Sequence, residues 1–243
     1  MTLQSATRRF AGVNALDTVS LAFSTGAITA IIGRSGCGKS TLLKLCNGLE
    51  RPDEGDVRVY GEPLDYASLP AIRRRIGYAV QGVGLFPHLS ARDNITLLAR
   101  LEGWSTHAID QRLAELVDLT RLEVSSLDRY PHELSGGQQQ RVGLCRAMVL
   151  RPGILLLDEP FAAIDPVTRL EIHEQLLALH SSEPATTILV THDMAEALRL
   201  ADYIVVMDSG RIIDQYARDA LLSRNDAEQP ERLLLSLLEA AAA

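Results

Sequence analysis

The sequence predicts an α/β fold, a parallel-sheet core interrupted by a block of helices. Three observations carry this. Short apolar runs recur at residues 27–32 (AITAII), 153–157 (GILLL) and 186–191 (TTILVT), the pattern of strands buried on both faces. Helical periodicity alternates with them, as crossover connections between parallel strands require. Between about residues 82 and 150 the strand-like runs stop, and apolar residues recur at spacings of three and four.

The elements follow in order. Residues 19–23 (VSLAF) alternate like a strand, Thr25-Gly26 turns, and 27–32 form the first buried strand. A glycine-rich loop covers 33–39. Residues 40–49 then read as a helix whose buried face is Leu42, Leu43, Leu45 and Cys46, ended by Gly48 and Pro52. Residues 53–80 read as strands, with turns at Asp53-Glu54-Gly55 and Gly61-Glu62-Pro63 and a buried strand at 76–80 (IGYAV). Helices are predicted at 91–101, 108–119 and 136–150, with Pro131 breaking the pattern before the third. A helix at 167–180 precedes the strand at 186–191. Residues 203–207 (YIVVM) and 211–214 form a hairpin around Ser209-Gly210, and 217–237 read as an amphipathic tail helix. The organisation expected is one domain over 1–243: a core of 1–81 and 151–215, a helical subdomain at 82–150, and a helical tail at 216–243.

Composition excludes several function classes. The chain has 243 residues, 47% hydrophobic and 23% charged, which rules out wholesale disorder. A net charge of −7 offers no basic surface, so no nucleic-acid partner is expected. Three scattered cysteines are too few for a disulfide framework or a zinc site. A membrane-spanning helix needs roughly 20 consecutive apolar residues, and the longest apolar stretches here are 154–157 and 233–235. The N-terminus has no apolar segment after its arginines, so no signal peptide is expected. A membrane role would pass through a partner.

Two constellations carry chemistry. Gly33-Arg34-Ser35-Gly36-Cys37-Gly38-Lys39-Ser40, continuing into Thr41, matches G-x-x-x-x-G-K-[ST] between an apolar strand and a helix. Glycines let backbone amides converge on a phosphate, and the helix adds its positive end. Lys39 would reach the β- and γ-phosphates, and Ser40 would place its hydroxyl on Mg²⁺. Cys37 reads as a small loop filler, although an exposed thiol there would be open to modification. The second constellation is the strand end Asp158-Glu159. Two acids at the C-terminal edge of a buried strand are costly unless used, and that edge binds ligands in open α/β sheets. Asp158 suits a Mg²⁺ partner through water, and Glu159 suits the base that activates an attacking water. Solvated acids capping the strand are the alternative.

Leu134-Ser135-Gly136-Gly137-Gln138 is, by itself, a helix start with Ser135 as N-cap. Set between the phosphate loop and the LLLDEP strand end, it resembles the ATP-binding-cassette (ABC) ATPase family, from Phe10 to about Asp214. The resemblance implies a P-loop NTPase (RecA-like) core with an antiparallel β subdomain and an inserted helical subdomain. It implies ATP and Mg²⁺ as cofactors and ATP hydrolysis as the activity. It identifies Gln81 as the Q-loop glutamine touching Mg²⁺, His192 (in VTHD) as the switch histidine at the γ-phosphate, Asp165 as the D-loop aspartate, and Phe10 as the aromatic stacked on adenine. Each has a plainer reading. Gln81 and His192 would cap strands, Asp165 would cap a helix before Pro166, and Phe10 would be core. The D-loop departs mildly from the family at Ala162-Ala163-Ile164, while Asp165 is intact.

The family's logic implies a head-to-tail pair, in which Ser135, Gly136, Gly137 and Gln138 of one copy close over the γ-phosphate held by the other. It implies separate transmembrane permease subunits docking near residues 81–94, a solute-binding protein acting through them, and a peripheral position on the cytoplasmic face of the membrane. The strings GYAVQGVGLFPHLSARDNI, LEGW and DRYPHELSGGQQQRVG are similar to ATPases of osmoprotectant importers, which carry glycine betaine, choline or carnitine. Polar amino acid importers share some of them, and a non-transport ABC ATPase is the remaining alternative. Many osmoprotectant ATPases add a C-terminal regulatory domain pair. Here only a helix follows to Ala243, so no such ionic-strength sensor is expected.

Overall fold

The computed structural model describes residues 1–162, 164–223 and 230–240. In chain order the elements are β1 (Thr2–Phe10), β2 (Val13–Ala22), β3 (Ile28–Gly33), α1 (Lys39–Cys46), β4 (Glu54–Val59), β5 (Glu62–Pro63) and α2 (Leu69–Arg73). There follow β6 (Ile76–Ala79), α3 (Ala91–Leu101), α4 (Thr106–Leu119), α5 (Gly136–Met148), β7 (Ile154–Asp158) and α6 (Pro166–Ser182). The remainder is β8 (Thr186–Thr191), α7 (Met194–Leu200), β9 (Tyr203–Asp208), β10 (Arg211–Ala217), α8 (Arg218–Leu222) and α9 (Pro230–Ala240). Two compact units emerge: Met1–Arg73 with Thr186–Ala243, and Arg74–Ala185.

In the first unit, β2, β1, β4 and β5 form an antiparallel sheet in that order. A second layer has β3 between β8 and β9, parallel to both, with β10 closing antiparallel on β9. Every residue of β3 is buried, as its unbroken β-branched run demands. Helix α1 packs between the layers, touching β2 and β4 on one side and β3 and β8 on the other. Its predicted face of Leu42, Leu43, Leu45 and Cys46 is fully buried. The helix stops at Cys46, earlier than the pattern implied, because Asn47 and Gly48 fold back onto Leu43 O and Leu45 O and Gly48 takes φ +70°.

In the second unit β6 and β7 run parallel, Ala79 beside Leu157, and α5 is the hub, packing on α3, α4, α6 and β6. Gly77 lets α5 approach closely, since a Cβ there would strike the Ala147 carbonyl. Arg112, 2% exposed, is the largest buried side chain. Its guanidinium donates to Met148 O at 2.6 Å and Val149 O at 3.2 Å, satisfying carbonyls at the end of α5, and pairs with both oxygens of Glu183. Arg151 joins by bonding Glu183 and Glu115.

Several elements differ from the sequence reading. The stretch 53–80 contains the short helix α2, and α7 follows β8 unforeseen. Both are too short to show a period. The predicted tail helix begins as strand, because β10 pairs with β9 as far as Ala217. Helices α8 and α9 follow, and residues 224–229 of the expected helix lie outside the described residues. The strand pair β6–β7 groups with the helices rather than with residues 1–73, because β6 packs on α5. All three cysteines are buried, Cys37 included. Burial pushes the Cys46 thiol up to about 12 and that of Cys145 up to about 11.

Arg112→Ala removes a buried cation and strips two α5 carbonyls of their donor. It is expected to cost about 3 kcal/mol, read as a lower midpoint in urea unfolding. In a double-mutant cycle with Glu183→Ala, the two losses should fail to add.

Candidate nucleotide site

The phosphate loop joins β3 to α1 in the first unit, and it is set by backbone packing. A Cβ at Gly33 would strike the Met207 carbonyl, and one at Gly38 would strike the Ala15 carbonyl. Gly38 also holds φ +105°, which L-residues rarely adopt. The Gly210 amide donates to Cys37 O at 3.0 Å, and the Asp17 amide donates to Gly210 O at 2.8 Å. The loop is thus pinned from β2 and from the β9–β10 turn. Lys39 is 5% exposed, and its ammonium donates to Gly33 O at 2.8 Å and Arg34 O at 2.9 Å. Arg34, Ser35 and Gly36 are exposed, while Ser40 and Thr41 are half-buried in the first turn of α1. A buried ammonium, a helix start and a loop with no room for a Cβ at Gly33 or Gly38 fit a polyphosphate. Cys37 faces inward, and its burial raises the thiol pKa.

Register brings His192 to the same edge. Ile32 sits beside Thr191 in the parallel β3–β8 pair, so Gly33 and His192 follow neighbouring strand ends. The turn at His192 is braced. The Thr191 hydroxyl accepts from the Asp193 amide at 3.0 Å and donates to buried Glu196 at 2.6 Å, while Asp193 caps α7. His192 itself is exposed. Phe10 ends β1 with 43% of its surface exposed, so it is not core, and the Arg8 guanidinium lies 4.7 Å from its ring centre.

The second unit gathers the other residues. Gln81 follows β6 and Glu159 follows β7, and Gln81 Nε2 donates to Glu159 Oε2 at 3.3 Å. Asp158 is 4% exposed, and the Tyr78 hydroxyl donates to it. Burial, then the Asp158 charge, pushes the Tyr78 phenol up to about 12. Glu159 holds φ +46°, a strained backbone at the strand end. Ser135 is exposed and caps α5 in a reciprocal box: its hydroxyl accepts from the Gln138 amide at 3.2 Å, and Gln138 Oε1 accepts from the Ser135 amide at 3.0 Å. Gly136 is exposed, whereas Gly137 is buried where a Cβ would strike Thr168 on α6. Asp165 caps that helix, accepting from the Thr168 amide at 3.0 Å. That bond holds the Asp165 carboxyl below its usual range. The D-loop departure at Ala163 lies outside the described residues.

The plainer readings of Ser135 and Asp165 as caps are therefore true. Tyr78 was not singled out from sequence, although period-two alternation in IGYAV sets it opposite the buried Gly77 and Ala79. Hard oxygens of the kind Mg²⁺ prefers are offered by the Ser40 hydroxyl in the first unit and, separately, by the Asp158 carboxylate in the second. Among the described residues no cluster of three or more His, Cys, Asp or Glu forms a metal cage.

A family model described as ABC transporter matches residues 16–162. The chain belongs to the ABC transporter family. It is 45% identical over 88% of its length to the glycine betaine uptake system ATP-binding protein YehX of Escherichia coli (strain K12), covering 70% of that protein. It is 40% identical over 94% of its length to the choline transport ATP-binding protein OpuBA of Bacillus subtilis (strain 168), covering 60% of it. Among solved structures, the ABC cassette MJ0796, in a dimeric post-hydrolysis state bound to ADP and Pi, matches with a TM-score of 0.81. It is 32% identical, covering 89% of this chain and 98% of that one.

Gly38→Ala should destabilise this ABC chain by about 1–3 kcal/mol and abolish binding of a fluorescent ATP analogue, because loop and β2 must part to admit the methyl group. Asp165→Ala should lower the melting temperature at about pH 7. The folded-state pKa of Asp165 is depressed, so its stabilisation is full above the unfolded value near 4 and fades as pH falls below it. The gap between variant and native chain should therefore close on acidification, as followed by thermal melts.

Proposed function

We propose that this chain is the ATP-binding and hydrolysing subunit of an import system for a small solute, a quaternary-amine osmoprotectant. The observation that carries the reading is the phosphate loop, with its Cβ-excluding glycines and the buried Lys39 ammonium. Family membership and relatives named for glycine betaine and choline support it. A third relative, a glycine betaine/carnitine/choline transport ATP-binding protein of Bacillus subtilis, is 41% identical, and the chain spans 57% of its length.

In this reading the loop amides of residues 33–39 wrap the phosphates, Lys39 neutralises the β- and γ-oxygens, and Phe10 stacks on the base. Ser40, Asp158 and Gln81 hold the nucleotide's Mg²⁺, which when bound supplies charge neutralisation on the transferring phosphoryl group. Glu159 takes a proton from the attacking water, and Gln81, bonded to it, keeps its carboxylate aimed. His192, on the strand end beside the loop, contacts the γ-phosphate. Ser135, Gly136, Gly137 and Gln138 complete the site of a second copy, with the α5 amides facing its γ-phosphate and Asp165 lining the contact. Positioning and charge do most of the work.

No helix among the described residues is long and apolar enough to cross a membrane. In this reading the chain is a peripheral subunit on the cytoplasmic face. Permease subunits then dock on it, and a solute-binding protein delivers to them.

Glu159→Gln is expected to lower phosphate release by about 100-fold or more while ATP still binds and holds two copies together, measured by phosphate assay and size-exclusion chromatography. Normal hydrolysis would refute Glu159 as base. For the solute, deleting the gene should reduce uptake of radiolabelled glycine betaine or choline, and unchanged uptake would refute the osmoprotectant assignment.

A further inference from the structure

The backbone directly after Gln81 takes an uncommon path. Gly82, Val83 and Gly84 all have positive φ, +73°, +63° and +55°. Glycine adopts such angles freely, whereas a β-branched valine does so only under constraint. The Gly84 amide donates to Gly82 O at 2.7 Å, closing a three-residue turn around Val83.

Two contacts hold that turn against α5. Arg146 Nη2 donates to Val83 O and Nη1 to Gly84 O, each at 2.8 Å. The Val83 side chain fills the space above Gly143, where a Cβ would lie 2.8 Å from Val83 Cγ1. Gly143 and Arg146 are three apart on one helix face, so a small residue admits the turn and a planar fork grips it. The same helix starts at Ser135, and the turn's other end leads into Gln81 and its 3.3 Å bond to Glu159.

We propose that Arg146 is a positioning residue for hydrolysis: it straps the Val83 turn to α5 and so fixes Gln81 against Glu159. This rests on the roles given above to Gln81 and Glu159. Arg146 touches neither carboxylate nor nucleotide; it acts through the turn. Its constraint on Val83 explains why a valine tolerates a left-handed conformation there, and it makes the turn follow any displacement of α5.

The test uses the full chain with Arg146→Ala, Arg146→Lys, and Arg146→Ala combined with Val83→Gly. Amide hydrogen exchange is followed by mass spectrometry over residues 81–85, alongside steady-state ATP hydrolysis. Arg146→Ala should speed exchange of this segment about tenfold. It should lower kcat about tenfold with KM for ATP within about twofold. Arg146→Lys, a point donor without the fork, should fall between. Adding Val83→Gly should recover part of kcat, since glycine adopts the positive φ without the strain that valine carries. Unchanged exchange would overturn the strap. Faster exchange with unchanged kcat would overturn the positioning role, as would a joint loss of kcat, KM and melting temperature that Val83→Gly fails to relieve. An error in the hydrolytic reading shows up elsewhere: Glu159→Gln would then turn over at the native rate. That outcome removes Arg146's part in hydrolysis, while the exchange difference still reports the strap.

Discussion

The phosphate loop depends on carbonyls where side chains would otherwise be. At Gly33 and Gly38 the chain runs so close to the carbonyls of Met207 and Ala15 that no β-carbon fits. This contact ties the end of β3 to β9 on one side and to β2 on the other, and the β9–β10 turn adds the Gly210–Cys37 bond. The loop is held by its surroundings as well as by the Lys39 ammonium, which bonds Gly33 O and Arg34 O. Its amides can therefore be preorganised for a polyanion without being ordered by it, which spares the entropy that a mobile loop would lose on binding.

The second unit follows a different principle. There one helix, α5, organises its neighbours. Its start is capped at the Gln138 amide by the Ser135–Gln138 box, and at its end Arg112 takes the Met148 and Val149 carbonyls. Three of its contacts need a missing side chain: Gly137 against α6, Gly143 against the Val83 turn, and Gly77 of β6 against the helix itself. The helix thus runs in unbroken contact from the exposed Ser135 end to the Val83 turn.

Much of this was legible in the sequence. The helix at 91–101 and the strand at 186–191 coincide with α3 and β8, because long periodic or unbroken apolar runs leave one choice. Ser135 and Asp165 were readable as caps from residue type alone. The unreadable parts have physical causes. Helices α2 and α7 span about two turns or less, too few for a period to emerge. Arg112 looks like a solvated charge on an amphipathic helix, and its burial is made tolerable by groups remote in sequence, Met148 O, Val149 O and Glu183, besides its neighbour Glu115. The positive φ of Val83 has no local signal, since its cause, Arg146, lies 63 positions away. The strand β10 outruns its predicted end because pairing with β9, not side-chain pattern, decides where it stops.

The burial of all three cysteines has a practical corollary. With Cys46 pushed up to about 12 and Cys145 up to about 11, these sulfurs stay protonated and shielded near neutrality, and Cys37 is shifted the same way. A maleimide dye or nitroxide would thus find a surface cysteine introduced by mutagenesis and pass over the native ones. Distances between introduced labels become measurable by fluorescence or spin resonance without first removing the native cysteines.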